Sequence, residues 1–207
     1  MVEILNSAGS LKLLTNASLF NGSYTKMAWV NLNSTNYRNH LISGNNATQS
    51  HYLYVSQPSK FLSAGHSSST NPVNIYGQET SISPINVWRH IAVTYAISTQ
   101  TMVLYVNGVA VSTNTAVPVA TQATGSVNLD MSGYGSNVGF GLDGMMISNK
   151  VYSRALSASE VSAVFSFEQM RLWKAVIFLN PYPPLAVKVG GGKYQDNRTL
   201  KHVHNII

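Results

Sequence analysis

The chain has 207 residues and a formal net charge of +6, yet only 10% of its residues are charged. This length supports one sizeable domain, or one domain with an appendage, which would bury ~70% of the surface of the unfolded chain. Cysteine is absent, which excludes a disulfide framework and thiolate chemistry. No apolar run approaches the ~18 residues of a membrane-spanning helix. Abundant Asn, Ser, Thr and Gly are typical of short strands joined by polar turns.

The N-terminal part predicts a lead-in followed by a strand. Residues 1–16 hold only a small apolar cluster around Leu13. Glu3, the lack of an early basic cluster and the short apolar run do not fit a signal peptide. We therefore expect that the protein does not leave a cell alone by the general secretory route. Asn21-Gly22 predicts a turn before the strand Tyr24–Leu32.

Alternation of side chains is clearest between Trp88 and Gly108. Residues 88–95 and 101–106 each alternate with a period of two residues, and the polar residues between them fit a hairpin loop. Asn107-Gly108 tolerates positive φ, so a second tight hairpin should follow. Further short strands are predicted at 51–55, 61–64, 73–76, 126–130, 138–142 and 145–151.

The periodicity becomes helical after residue 157. Ser157 and Glu160 have the spacing of a capping box, and Val161, Val164 and Phe165 follow at helical spacing. We therefore predict a short helix near residue 160. Residues 166–207 form a C-terminal extension with six Lys/Arg and two acids, a Pro-rich turn at 181–184 and three glycines at 190–192. Its apolar run, 173–179, is too hydrophobic to stay solvated, so residues 166–207 are predicted to be an assembly arm.

Three motifs, in this order, resemble the concanavalin A-like lectin/glucanase superfamily and, within it, the laminin-G-like (LamG type 3) domains. They are YTKMAWV at 24–30, WRHIAVTY with LYVNG at 88–108, and FGLDG with VYSRALS at 140–157. The resemblance covers roughly residues 17–166. It implies an all-β antiparallel β-sandwich, a concanavalin A-like jelly roll, with its domain at 17–165. Since this fold hosts lectins, adhesins, enzymes and capsid parts, the resemblance alone does not specify a ligand.

The acidic residues do not predict catalysis. Glucanases of this fold need closely placed carboxylates, spaced as Glu-x-Asp-x-x-Glu in the retaining enzymes. The acids here are Glu3, Glu79, Asp130, Asp143, Glu160, Glu168 and Asp196, and none have that spacing. No Ser/His/Asp motif, phosphate loop or zinc spacing occurs either. We expect a protein that is not an enzyme and requires no cofactor.

Calcium is a candidate ligand because several lectins of this fold hold the ion near their sugar. The resemblance makes Asp143, which follows the Phe-x-Gly motif, a candidate calcium ligand. A hard cation needs several oxygen ligands. The alternative is that Asp143 caps a turn before Gly144.

Two residues on predicted loops are candidates for glycan contacts. His66, beside Gly65, could donate a hydrogen bond to a sugar, or it could be a structural hydrogen-bonding residue. Tyr134, in the Gly-rich loop 133–137, could make an aromatic contact, although an ordinary loop tyrosine fits the same pattern. Trp29 and His90 lie within motif strands and are predicted to be in the core.

Charge indicates an anionic partner, because the isoelectric point is ≈ 9.6. Nucleic acid is not favoured, since the Lys/Arg residues are scattered and no Arg-aromatic repeat occurs.

Two functions remain open. The first is a lectin-fold structural component of a virion, of capsid or decoration type, or of a comparable surface assembly. It would contact other protein subunits through residues 166–207, and glycan binding would be an added role. The second is a carbohydrate-binding adhesion module that uses the tail as an anchor. The absence of cysteine and of a signal peptide favours the first, so we expect a location on a virion or an extracellular surface.

Overall fold

The computed structural model describes residues 11–15, 22–34, 39–44, 51–55, 61–68, 71–81, 85–119, 127–131 and 141–179. Within these residues the chain forms β-strands followed by one α-helix. The strands are β1 (Leu11–Thr15), β2 (Tyr24–Leu32), β3 (Asn39–His40), β4 (Ile42–Gly44), β5 (His51–Val55), β6 (Phe61–Ser68), β7 (Asn71–Ser81), β8 (Arg89–Ala96), β9 (Thr101–Val106), β10 (Val109–Asn114), β11 (Val127–Met131) and β12 (Gly144–Tyr152). The helix α1 spans Ala158–Leu179.

The strands pair antiparallel in three sheets. A five-stranded sheet has the order β10-β9-β8-β2-β12, a four-stranded sheet has the order β3-β5-β6-β7, and a three-stranded sheet has the order β1-β11-β4. The predicted all-β antiparallel sandwich is confirmed. Residues 1–16, predicted as a lead-in, include strand β1, which pairs with β11 through Leu13 and Leu129.

The main core lies between the five-stranded sheet and the other two sheets. Successive side chains of a strand point to opposite faces of its sheet, and strand β2 has buried residues on both faces. Its even-numbered residues, such as Ala28, pack with Leu53 and Leu62 of the four-stranded sheet and with Ile42 of the three-stranded sheet. Its odd-numbered Met27 lies on the other face, beneath α1.

Helix α1 covers this outer face of the five-stranded sheet. Met27, Ala92 and Tyr105 of the sheet form a second buried cluster with Leu156 and Val161. Burying each large apolar side chain stabilises the packing by about 1.5–3 kcal/mol.

The helix begins with the predicted capping box. The Ser157 N–H donates to Oε2 of Glu160 at 2.8 Å, and the Glu160 N–H donates to the Ser157 hydroxyl at 3.3 Å. Just before it, the Thr25 hydroxyl donates to the carbonyl of Arg154 at 2.8 Å and accepts from the Leu156 N–H at 2.9 Å. These bonds fix the chain entering the helix to the central strand β2.

The predicted Asn107-Gly108 hairpin is also confirmed. Both residues have positive φ, 50° and 76°, as the tight turn between β9 and β10 requires. The turn lies against the helix, because a Cβ built at Gly108 would meet the Phe165 ring at 2.9 Å. Glycine is therefore needed here for its φ and for its lack of a side chain.

The helix is longer than the sequence predicted. It has 22 residues, so the boundary placed between residues 165 and 166 falls inside it, and residues 173–179 continue it. The inward spacing of Val161 and Phe165 extends to Glu168 and Leu172, and no proline or glycine interrupts the chain before residue 181. Within the described part of the chain, no helix combines the length and apolar character needed to cross a bilayer.

Candidate binding site and buried polar clusters

An inner cluster of polar side chains lies inside the sandwich. It consists of Tyr24 and Lys26 from β2, His51 from β5, His66 from β6 and Tyr95 from β8. Each of the five is at most 2% exposed. The Tyr24 ring contacts the rings of the two histidines and of Tyr95, with centroids 4.9 to 5.9 Å away.

The hydrogen bonds of His66 define its protonation state. Its Nε2 lies 2.7 Å from the carbonyl oxygen of Pro118, which can only accept, so Nε2 carries the proton. Its Nδ1 lies 3.0 Å from the Tyr24 hydroxyl and therefore accepts from it in the neutral ring. Burial lowers the pKa of His66 to about 4, and the charge of Lys26 lowers it further, although the bond to Pro118 acts in the opposite direction.

Lys26 is a fully buried amine in the same cluster. Its Nζ donates to the carbonyl of Ile42 at 3.3 Å and lies 5.4 Å from the centre of the Tyr24 ring. Burial lowers the pKa of Lys26 to about 7, because the charged form is poorly solvated in the core. The single carbonyl bond links the five-stranded sheet to the three-stranded sheet.

His66 does not lie on a loop, contrary to the prediction. It is in strand β6 and is fully buried. The strand forms because Gly65 and His66 pair on one side with β5, through Tyr52 and His51, and on the other with β7. Its contacts are those of the structural hydrogen-bonding residue that the sequence also allowed.

A second group, the helix cluster, ties α1 to the sheet. Glu168 is only 7% exposed, and its Oε2 accepts from the Trp29 indole N–H at 3.0 Å. Its Oε1 accepts from the Ser148 hydroxyl and forms an ion pair with the Lys150 ammonium. Ser148 has a φ of 56° at the point where the register of β12 shifts against β2. The irregularity in β12 thus places the Ser148 hydroxyl and the Lys150 ammonium beside the Glu168 carboxylate of the helix.

His90 lies beside the helix cluster without forming a hydrogen bond through its ring. Its Nε2 is 3.9 Å from Oε2 of Glu168, which is too far for a hydrogen bond, and neither ring nitrogen has a hydrogen-bond partner among the described residues. The rings of Trp29 and Phe165 contact it at 5.5 and 5.8 Å. Burial, and secondarily the Lys150 charge, lowers the pKa of His90 to about 4. The predicted core positions of Trp29 and His90 are confirmed.

A third group, the polar rim, lies at the end of β2 and consists of Asn33, Ser34, Asn39 and Asp143. Asp143 accepts from the Ser34 hydroxyl at 2.6 Å and from the Asn33 side-chain amide at 3.3 Å. Its backbone N–H donates to Oδ1 of Asn39 at 2.6 Å, and its carbonyl accepts from the Asn33 N–H. Asn33 is exposed, and Ser34 and Asp143 are partly exposed. The rim therefore holds amide, hydroxyl and carboxylate groups in fixed relative positions at the protein surface.

The contacts of Asp143 are those of a residue that ties a turn. Gly144 follows it at a close approach of two strands, where a Cβ would lie 2.2 Å from the carbonyl oxygen of Asn31. The side chains that the structure describes include no group of three or more His, Cys, Asp or Glu residues arranged to hold a metal ion. Calcium binding by Asp143 stays a prediction.

The sequence analysis did not single out two residues of the buried clusters, and the structure does not describe one residue that it did single out. Lys26 and Glu168 were not singled out, although Lys26 has the same parity as the core residues of β2. Glu168 follows Val161 at i+7, the spacing of the inward helix face. Tyr134 lies outside the described residues.

The arrangement agrees with a match to a known family. Residues 6–162 match the Laminin_G_3 family model of the concanavalin A-like lectin/glucanases superfamily. The chain belongs to this superfamily. No curated protein matches it closely enough in sequence to count as a relative.

Solved structures share the fold at low sequence identity. A carbohydrate-binding module, CBM40, of the Ruminococcus gnavus IT-sialidase has a TM-score of 0.59 and 17% identity, covering 75% of this chain and 96% of that chain. The heptameric SAP-like pentraxin of Limulus polyphemus has a TM-score of 0.53 and 17% identity, covering 69% of each chain. The receptor-binding domain of a botulinum neurotoxin C/D mosaic has a TM-score of 0.61 and 13% identity, covering 81% of this chain but 42% of that one. At these identities the likeness shows the lectin-type fold alone.

Proposed function

We propose that this chain is a non-enzymatic module that binds a glycan at the polar rim. The observation that carries the proposal is the rim itself. Sugar hydroxyls both donate and accept hydrogen bonds, and the rim offers the Asn33 amide, the Ser34 hydroxyl and the Asp143 carboxylate together at the surface. Their mutual hydrogen bonds hold them in place before a ligand arrives, which lowers the entropy cost of binding.

The carboxylates support binding over hydrolysis. Retaining glycosidases hold two carboxyl groups about 5–5.5 Å apart across the scissile bond. The three carboxylate side chains that the structure describes lie in separate clusters with separate partners. Asp143 accepts from Ser34, Glu160 from Arg154, and Glu168 from Trp29.

Sialylated glycans are the first class of ligand to test. CBM40 structures exist with α2,3-sialyllactose and α2,6-sialyllactose bound. The net charge of +6 on this chain would favour an anionic sugar through long-range attraction. Because the likeness shows only the fold, the comparison supplies a probe and no binding residues.

The test is a glycan array followed by calorimetry with the best-binding glycan, each run with calcium and with a chelator. Asn33→Ala removes an exposed rim amide and should weaken binding about tenfold or more, the usual effect of a lost hydrogen bond of about 1.4 kcal/mol. Gln169→Ala, which removes an amide from α1, is the matched control and should leave affinity unchanged. Tyr134→Ala tests the proposed aromatic contact, and the chelator tests the calcium role of Asp143. Absence of binding to every glycan in both conditions would refute the proposal.

A second role, as a structural component of a virion or comparable surface assembly, is favoured by α1. The helix exposes Phe167 and Met170, on either side of Glu168, and continues to Leu179. Residues 166–207 are basic. These features support an arm that contacts other protein subunits, with the protein located on a virion or an extracellular surface.

A shortened chain tests this second role. A chain ending at residue 172 retains Glu168 and its contacts, so it should remain folded, as thermal melting would show. It should no longer join its particle when the two are expressed together. Incorporation equal to that of the full chain would exclude an assembly role for the removed residues, 173–207.

A further inference from the structure

Asn39 is the buried member of the polar rim. It is the first residue of β3, in the four-stranded sheet, where it pairs with Val55 of β5, and its exposure is 0%. Its side-chain Nδ2 donates to the backbone carbonyl of Ser34 at 3.0 Å. Its Oδ1 accepts from the Asp143 N–H at 2.6 Å. One carboxamide therefore joins the chain that leaves β2 to the chain that enters β12.

These two bonds replace part of the ladder between β2 and β12. The ladder reaches Leu32 and Gly144, and one step further the Asn33 N–H donates to the Asp143 carbonyl at 2.9 Å. Residues of a hydrogen-bonded antiparallel pair exchange two such bonds, but the Asp143 N–H donates to Asn39 instead. A side-chain amide offers the donor and the acceptor of a peptide group. The Asn39 side chain thus takes the place of a peptide group of the interrupted ladder.

The Asn39 carboxamide holds both partners of a surface hydrogen bond. The Ser34 hydroxyl donates to the Asp143 carboxylate at 2.6 Å. The backbone of each of these residues is bound to Asn39, Ser34 through its carbonyl and Asp143 through its N–H. Ser34 and Asp143 flank strands of the five-stranded sheet, whereas Asn39 belongs to the four-stranded sheet. The rim is therefore fixed from the opposite sheet of the sandwich.

We propose that Asn39 is the positioning residue of the rim, which holds Ser34 and Asp143 in their binding geometry without contacting the ligand. The inference rests on the proposed glycan site and deepens it by naming the residue that assembles the site. Because Asn39 is fully buried, its effect on affinity must pass through the two backbone groups that it binds. A rim assembled before the ligand arrives loses less conformational freedom on binding.

The variant Asn39→Asp separates positioning from a general role in folding. It keeps an oxygen that accepts from the Asp143 N–H, but it replaces the donor to the Ser34 carbonyl with a second oxygen. When ionised, this oxygen faces another acceptor and the bond is lost, whereas the protonated carboxyl group donates as the amide does. Burial, the facing carbonyl and the Asp143 carboxylate raise the pKa of the introduced group, although the bond from the Asp143 N–H acts in the opposite direction. Lowering the pH should therefore restore the bond.

Calorimetry with the best-binding glycan at pH 8 and pH 5 measures this effect. At pH 8 the Asn39→Asp variant should bind about tenfold or more weakly than the natural chain, the usual effect of a lost hydrogen bond. At pH 5 the ratio of the two affinities should return toward one. The ratio is the useful quantity because both chains share the titration of Asp143. Thermal melting at both pH values shows whether the variant is folded.

Asn114→Asp is the matched control. Asn114 also accepts from a backbone N–H, that of Ala116, through its side-chain oxygen at 2.9 Å. It lies at the other end of the five-stranded sheet, since it aligns through Met102 and Tyr95 with the first residue of β2. This variant should bind as tightly as the natural chain at both pH values.

Amide hydrogen exchange tests the positioning without a ligand, and it applies even if Asn39→Asp does not fold at pH 8. In the natural chain the Asp143 N–H should exchange at least about tenfold more slowly than in an unstructured peptide, because exchange requires its bond to Asn39 to open. Asn39→Ala should remove this protection while the amides of β8 keep theirs. An Asp143 N–H that exchanges in the natural chain as fast as in an unstructured peptide would overturn the proposal.

The results distinguish this inference from the proposed function. If the natural chain bound no glycan, glycan binding would fail, and the exchange rate of the Asp143 N–H would still decide whether Asn39 holds the rim. If glycan bound and the affinity ratio for Asn39→Asp were the same at pH 8 and pH 5, the positioning role would fail while glycan binding stood.

Discussion

Replacing the buried amine of Lys26 with methionine should stabilise the protein at neutral pH. The amine is fully buried, and burial lowers its pKa from 10.5 to about 7. Between pH 7 and 10.5 the unfolded chain therefore binds a proton that the folded protein does not. The free energy of unfolding must therefore rise as the pH increases from 7 to 10.5, and it must fall by the same amount as the pH decreases to 7. At 1.36 kcal/mol per pKa unit, the term amounts to about 4 kcal/mol at pH 7.

Lys26→Met fills a similar volume without a charge. It loses the hydrogen bond to the Ile42 carbonyl, which contributes about 1 kcal/mol. The variant should therefore be more stable than the natural chain by about 3 kcal/mol at pH 7. The stability of the variant should no longer depend on pH in this window. The difference in the free energy of unfolding between the variant and the natural chain should therefore shrink toward pH 9.5.

Urea unfolding at pH 7, 8, 9 and 9.5 measures both effects. The series stops below pH 10 because burial raises the pKa of Tyr24 and Tyr95, and a raised tyrosine pKa lowers stability at higher pH. Lys26→Arg is the control: it keeps its charge throughout, so it should be destabilised and show no rise. A methionine variant that is less stable at pH 7, or a natural chain whose stability is flat from pH 7 to 9.5, would refute the reasoning.

Two further substitutions test the clusters around α1. The pKa of His90 is lowered from 6.5 to about 4, so the natural chain should lose about 3 kcal/mol from this group as the pH falls from 6.5 to 4. His90→Leu should remove that loss. Urea unfolding at pH 7 and 4.5 measures it, and an equal fall in the free energy of unfolding for the natural chain and the variant would contradict the prediction. Gly108→Ala places a Cβ 2.9 Å from the Phe165 ring at a φ of 76° and should cost about 1–3 kcal/mol. Gly22→Ala, whose Cβ would meet nothing within 4 Å, is its control, and equal melting temperatures for the two variants would refute the packing argument.

The features that the sequence predicted correctly are those that neighbouring residues determine. The capping box joins Ser157 to Glu160 within three residues, and the Asn107-Gly108 turn needs only two residues with positive φ. Both can be recognised without knowing what packs around them. The alternation in residues 88–95 and 101–106 likewise predicts strands that have at least one buried face.

The features that the sequence did not predict depend on distant parts of the chain. The segment around His66 has no hydrophobic alternation, and it becomes a strand because β5 and β7 pair with it on both sides. The position of Lys26 could have been predicted, since residues 26 and 28 of a strand point to the same face and Ala28 faces the core. Lysine is rarely fully buried, however. The Lys26 amine is tolerated there because it donates a hydrogen bond to the carbonyl of Ile42, on another sheet. The length of α1 depends on Glu168, whose partners come from β2 and β12.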